Sequence, residues 1–163
     1  MKRTIFLTSK SALFILVLSI IAWALGAPFI FPSLGPTAYI LAFDQKRSHS
    51  ARVVIGGHAC GILGGLVSYY LVVDPYSLLL LSEAVSTPGI FLGLGAVLSI
   101  AITTFLMLMF QVSHPPACAT TLIISLGILP YWYDGLVILI AVVILYYVYW
   151  VYQKITSDLG LPE

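Results

Sequence analysis

The sequence predicts an all-α, polytopic helical membrane protein with four long transmembrane helices and two short, proline-led broken helices, arranged as a candidate 3+3 inverted repeat. Three observations point there. Of 163 residues, 61% are hydrophobic and 8% charged, against about 25% charged in an average soluble domain. Four apolar stretches are long enough to cross a bilayer, and two shorter ones between them contain proline at their start. A soluble domain of this size has too little interior for so much apolar surface. Disordered chains are polar and poor in aromatics. A net charge of +1 without a Lys/Arg-rich face excludes a nucleic-acid partner. The expected unit is a single transmembrane domain over residues 1–163, with the lipid bilayer as its surroundings.

A bilayer core of about 30 Å needs about 20 helical residues. The long stretches are 12–31, 53–73, 90–110 and 132–152, the last ending in a run of tyrosines and tryptophan suited to the headgroup interface. Met1-Lys2-Arg3 before an apolar run imitates a signal peptide. The run lacks a small-x-small exit, so it reads as a span. Cys60 and Cys118 lie in apolar stretches and read as small buried residues rather than a disulfide framework. The short stretches are 35–43 and 115–129. Proline is tolerated in the first turn of a helix, where its N–H has no partner anyway. Each therefore reads as a half-helix, the first reached through extended chain over 28–34.

The charges choose the topology. The basic residues are Lys2, Arg3 and Lys10, then Lys46, Arg47 and Arg52, then Lys154. If both short stretches turn back, the basic residues divide four to three between the two sides. If both cross, all seven share one side, with Asp74, Glu83 and Asp134 on the other. Basic loops stay cytoplasmic, so six crossings are expected, with both termini cytoplasmic and the protein multi-pass in a cell (inner or plasma) membrane. Extended backbone at that depth must be buried or line a cavity.

Ser33-Leu34-Gly35-Pro36-Thr37-Ala38 and Ser113-His114-Pro115-Pro116-Ala117-Cys118 share the pattern Ser-x-x-Pro-small-small, 80 residues apart. Each lies between two long spans, which gives candidate halves 11–73 and 90–152. Three crossings per half would invert one copy relative to the other, a plan common among transporters.

These motifs supply the candidate site. A half-helix beginning at Pro115-Pro116 would aim free N–H groups and a positive dipole end at whatever precedes it, which suits an anion. His114 stands there, Ser113 is placed to cap or donate, and Thr120 and Thr121 follow on the half-helix. In the first half Ser33, Gly35, Pro36 and Thr37 stand in the corresponding place, with Gly35 permitting close backbone approach. The two N-termini would converge on one midplane point. In the second span Gly57, Gly61 and Gly65 repeat every four residues, the spacing for tight helix packing. His58 lies beside that face, as a pathway residue or as a histidine bonded to backbone. Gly89, Gly93, Gly95, Ser99 and Thr103 form a similar stripe. Whether these faces pack within one chain or in a homo-oligomer is open at this point. No acidic residue lies inside a long span, which argues against a carboxylate relay or an intramembrane aspartyl protease. No catalytic set, metal set or resident cofactor is read.

The run Ser113-His114-Pro115-Pro116-Ala117-Cys118-Ala119-Thr120-Thr121 resembles the signature of the HPP family of small integral membrane proteins. Ser33-Leu34-Gly35-Pro36-Thr37-Ala38, Arg52 and Gly56-Gly57-His58 fit the same family in the same order, and the resemblance spans nearly the whole chain. It implies four transmembrane helices and marks Gly35, Pro36, Gly57, His58, His114, Pro115 and Pro116 as signature positions. Cys118 departs from the glycine expected there. Members from cyanobacteria and chloroplasts are linked to nitrite transport. The expected function is therefore a non-enzymatic transporter or channel for a small anion such as nitrite. Ser113, Thr37 and Thr120 would donate to the anion, and His114 would tune charge or carry a proton. The alternative is a non-transporting membrane module that binds a partner, haem or a metal.

Overall fold

The structure is a computed structural model, which describes residues 2–43, 49–74 and 87–158. Six helices follow in order: α1 Lys2–Leu25, α2 Ile30–Phe43, α3 Ala51–Ser68, α4 Thr87–Phe110, α5 Ala117–Ser125 and α6 Trp132–Asp158. A π-helical turn, Tyr69–Val73, continues α3. Thr4–Leu25, Ala51–Val73, Thr87–Phe110 and Trp132–Asp158 are each long and apolar enough to cross a membrane. The protein is thus a multi-pass helical membrane protein, and no strand occurs among the described residues.

The first span starts and ends earlier than the 12–31 predicted. Gly26 adopts φ +62°, and Ala27 N–H closes back on the Ala22 carbonyl at 2.9 Å. This left-handed glycine ends α1 one residue after Leu25. A short turn through Ala27 and Pro28 then starts α2 at Ile30. The extended approach over 28–34 is therefore absent, and α2 is a full helix that contains Pro36. Its prolines explain why it survives them. Pro32 and Pro36, with Pro28 just before the helix, are spaced by four and all exposed, so the missing N–H groups fall on one outward strip. The opposite strip, Ile30, Ser33, Leu34, Thr37, Ala38, Leu41 and Ala42, is buried at helical spacing.

The direction of each helix follows from what its ends touch. At the start of α1, Phe6 lies 6.1 Å from the Tyr152 ring near the end of α6. At its other end, Leu25, Gly26 and Ile30 share a cavity with Tyr133 and Asp134 at the start of α6. His49, after α2, accepts from the Tyr146 hydroxyl at 3.0 Å, back toward the termini. Arg52 at the start of α3 donates to the Phe110 carbonyl at the end of α4, at 3.0 Å. Tyr69 and Val73 at the other end of α3 pack with Leu92 of α4 and with Leu126 just after α5. Residues 112–125 run beside α3 in the same direction, from Val112 against Gly56 to Ile124 against Gly65.

Successive helices therefore alternate in direction between the two faces of the bundle. Lys10, Arg52 and Lys154 lie toward the face that holds the termini, and Asp74 and Asp134 at the opposite face. Lys46, Arg47 and Glu83 lie outside the described residues. Cysteines introduced at Ser50 and Ser157, with Cys60 and Cys118 replaced, should label from the same side of the membrane, and one at Tyr131 from the other. Labelling of Ser50 together with Tyr131 would refute this threading.

The bundle is organised around α3. Its membrane-spanning window is 56% buried, against 28% in each of the other three long helices. Its glycines explain that position. A Cβ on Gly57 would meet His114 Cβ at 2.5 Å, one on Gly61 the Ala117 carbonyl oxygen at 2.8 Å, and one on Gly65 the Thr121 carbonyl oxygen at 2.9 Å. On the next strip, Gly64 faces Thr103 of α4. The repeat of small residues thus packs α3 against α5 and α4 within one chain. Near the termini Lys10 is only 3% exposed, and its ammonium lies 5.4–6.0 Å from the ring centroids of Phe14, Tyr149 and Tyr152. This cation–π cluster ties α1 to α6.

Candidate functional site

The buried strip of α2, the glycine face of α3 and the start of α5 meet in the interior. Ser33 and Thr37, one turn apart on α2, both point inward and are fully buried. His58 projects from α3 beside Gly57 and Gly61 and is also fully buried. Because those two positions carry no side chain, residues 112–121 approach α3 closely enough for His114 and Thr120 to reach the same space. Thr37 Oγ1 lies 2.8 Å from His58 Nε2 and 3.3 Å from His114 Nε2. His58 Nδ1 lies 2.8 Å from Thr120 Oγ1, which lies 2.7 Å from Ser33 Oγ. The two imidazole rings are 5.4 Å apart between centroids. No buried side-chain N or O atom among the described residues lacks a hydrogen-bond partner, so the cluster is internally satisfied.

Five of the residues singled out in the sequence thus come together: Ser33, Thr37, His58, His114 and Thr120. The others do not. Gly35 is half-buried, and a Cβ there would meet nothing within 4 Å, so it serves no close approach. Pro36 lies on the exposed strip of α2. Ser113 and Pro115 are exposed, and the N-cap of α5 is the buried Pro116 rather than Ser113.

The expected meeting of two free helix N-termini is also overturned. α2 and α5 lie side by side and antiparallel, with Ser33 beside Thr120 and Thr37 beside His114. The start of α2 is near Ile128 and Leu129, past the far end of α5. The first-turn N–H groups are already committed. Ala117, Cys118 and Ala119 donate to the carbonyls of His114, Pro115 and Pro116 at 3.0–3.1 Å. In α2, Ile30 and Phe31 donate to Ala27 and Pro28 at 3.1 and 3.2 Å. The polar character of the interior therefore comes from hydroxyls and imidazoles, not from helix ends.

A second polar seam was not anticipated. Thr103 of α4 pairs with Thr121 of α5 at 3.0 Å, and Ser99 with Ser125 at 3.2 Å. Thr121 also donates back to the Ala117 carbonyl at 3.2 Å, and Ser68 to the Gly95 carbonyl at 2.6 Å. The signal was available: Ser99 and Thr103, like Thr121 and Ser125, are one turn apart, so two facing helices present matched hydroxyl pairs. Such bonds contribute about 0.6 kcal/mol each in a membrane bundle. At the face opposite the termini, a cavity of about 380 Å³ is lined by residues 25–30, Ile128, Leu129, Tyr133, Asp134 and Val137. Ile30 on its wall is three residues from Ser33 on the buried strip of α2.

No curated protein and no solved structure matches the chain significantly. The family profile described as HPP, transmembrane region, matches residues 1–160, which include every helix and every member of the buried cluster. With six apolar helices and His114 of the His-Pro-Pro segment in its buried cluster, the chain belongs to the HPP family of transmembrane proteins.

Proposed function

We propose that this protein is a transporter or channel for a small monovalent anion, with nitrite the leading candidate, and that its path runs through the histidine–hydroxyl cluster. The observation that carries the reading is the set of five mutually bonded polar side chains buried among α2, α3 and α5. Polar groups inside a membrane bundle are costly and mark pathways more often than not. Here the lining offers O–H and N–H donors and no carboxylate, so it suits an anion better than a cation. It also lacks a permanent positive charge. A site that must release its ligand gains from that, because conduction needs binding weak enough to leave.

The basic residues on the termini side favour the cytoplasm for that face, and in this reading the cavity at Asp134 and Tyr133 on the other face serves as the external mouth of the path. The lining is closed in this conformation, so translocation requires the anion to exchange places with bonds inside the cluster. The glycine face of α3, one basis for a competing assembly role, is filled by α4 and α5 of the same chain. A haem iron held by His58 and His114 would have to displace the Thr37 hydroxyl, which lies within 3.3 Å of both Nε2 atoms.

Purified protein in liposomes should move nitrite faster than protein-free liposomes, and His114→Ala should reduce the flux while the protein remains folded. Unchanged flux in His114→Ala would remove that residue from the path. Absence of flux for nitrite, nitrate, formate and chloride alike would reject the function.

A further inference from the structure

The buried cluster is an unbranched chain. In order it runs His114, Thr37, His58, Thr120, Ser33, with separations of 3.3, 2.8, 2.8 and 2.7 Å. A hydroxyl has one proton to donate, and a neutral imidazole donates through one nitrogen and accepts through the other. Two proton arrangements therefore satisfy all four contacts at once. In the first, His114 Nε2–H donates to Thr37, Thr37 to His58 Nε2, His58 Nδ1–H to Thr120, and Thr120 to Ser33. In the second, every bond runs the other way.

Passage of one proton converts the first arrangement into the second. A proton binds His114 Nδ1. The Nε2 proton of His114 moves to the Thr37 oxygen as the Thr37 proton moves to His58 Nε2. The Nδ1 proton of His58 moves to the Thr120 oxygen, the Thr120 proton to the Ser33 oxygen, and the Ser33 proton passes to solvent water on the side of the cavity at Ile30. One proton enters and one departs, and each member regains the number of protons it began with.

The chain cannot then pass a second proton the same way. His58 now has its proton on Nε2, and a further proton can pass only after the ring has turned that N–H toward Thr120, which breaks its bonds to Thr37 and Thr120 together. Both nitrogens of this fully buried ring are held, so the ring stays put while the cluster is closed. Those same two hydroxyls are the donors an anion in the path would occupy. An anion that takes them frees the ring to turn.

We propose that the cluster is a single-shot proton relay that couples one proton to each small anion moving in the same direction, rather than an open proton wire or an electrogenic anion channel. This deepens the anion-transport reading and rests on it. The titratable and charged neighbours are few. The His58 and His114 rings lie 5.4 Å apart between centroids, and His49 lies beside Tyr149. Within the helices around the cluster, α3 adds Arg52 at the termini face and half-buried or buried cysteines Cys60 and, on α5, Cys118. The outward Tyr39 is the only such residue on α2, α4 has none, and α6 presents tyrosines 146 and 149 toward His49.

The test is a liposome assay with an internal pH dye, an inward nitrite gradient and the potential clamped by potassium and valinomycin, corrected by protein-free liposomes. Wild type should acidify the lumen by one proton per nitrite, at a rate independent of the clamped potential, and should not conduct protons when no anion is present. Thr37→Val, which keeps the shape and removes the hydroxyl, should lower coupled flux by about a hundredfold, the usual scale for losing a proton-transfer group. Thr37→Ser should restore it. Electrogenic nitrite flux without acidification would overturn the relay and leave transport standing. Proton flux of equal size without nitrite would overturn the coupling. Coupled flux at the wild-type rate in Thr37→Val would overturn the role of the chain. No anion flux at all would remove the transport reading, and the relay with it.

Discussion

Gly61→Ala should destabilise the protein by about 1–3 kcal/mol, the cost of forcing an extra methyl group into a well-packed contact. The new Cβ would stand 2.8 Å from the Ala117 carbonyl oxygen and 2.9 Å from Thr121 Oγ1. Neither is the free end of a flexible side chain. Ala117 is the first residue of α5, and Thr121 is held between its bonds to Ala117 and Thr103. Relief requires α5 to move away from α3, which also carries Thr120 away from His58. Gly35→Ala should do the reverse. Nothing lies within 4 Å of a Cβ there, and alanine stabilises a helix interior by about 0.5–1 kcal/mol relative to glycine. Thermal unfolding of the two variants in detergent measures the difference. Equal shifts would mean that the α3–α5 contact is looser than its geometry. Transport should fall in Gly61→Ala and persist in Gly35→Ala.

That contrast marks where the sequence was legible. The glycines of α3 repeat every four residues, and this period is a property of the helix itself, so the packing face was readable. What it packs against was not, because two glycine strips one residue apart serve two different neighbours, α5 and α4. The long helices were readable from hydropathy. The start of α2 was not. Proline suits a helix opening at Pro115 and Pro116, where α5 begins at once with Pro116 as its cap. In α2 the prolines recur every four residues and leave their defects on one lipid-facing strip, so the helix continues through them. The buried strip at 30, 33, 34, 37, 38, 41 and 42 was the competing signal, and it decided the outcome.

The same error misplaced the source of polarity in the interior. Two matching Ser-x-x-Pro motifs suggested two equivalent helix ends facing each other. One motif lies inside a helix and the other ahead of one, so the two are not equivalent. Ser33 contributes its side chain, whereas Ser113 is exposed. His58 has no counterpart on α6, whose buried residues are Gly135, Ile138, Ala141, Val142, Leu145 and Thr156. Residue types alone pointed to Ser33, Thr37, His58, His114 and Thr120, since hydroxyls and imidazoles inside a membrane need partners. Their order along one chain of bonds depends on the depth of α2 beside α5, which only the folded structure supplies.

His58 occupies the middle of that order, so its removal should have the largest effect on transport. His58→Leu takes away two hydrogen bonds at once, to Thr37 and to Thr120. Each hydroxyl retains one partner, His114 and Ser33 respectively, so neither is wholly orphaned. The expected loss of stability is therefore about 2 kcal/mol, two net hydrogen bonds rather than two full desolvation penalties. Flux should fall by about a hundredfold or more, because the chain is cut into two pairs that no longer exchange protons. His114→Leu removes one terminal bond of 3.3 Å and should cost less stability. A double-mutant cycle between His58→Leu and Thr120→Val, read by thermal unfolding, should give a coupling energy well above that between His114→Leu and Thr120→Val. The first pair shares a 2.8 Å bond, and the second pair communicates only through Thr37 and His58. Equal coupling in the two cycles would contradict the linear order, and a transport rate unaffected by His58→Leu would exclude the cluster from the path.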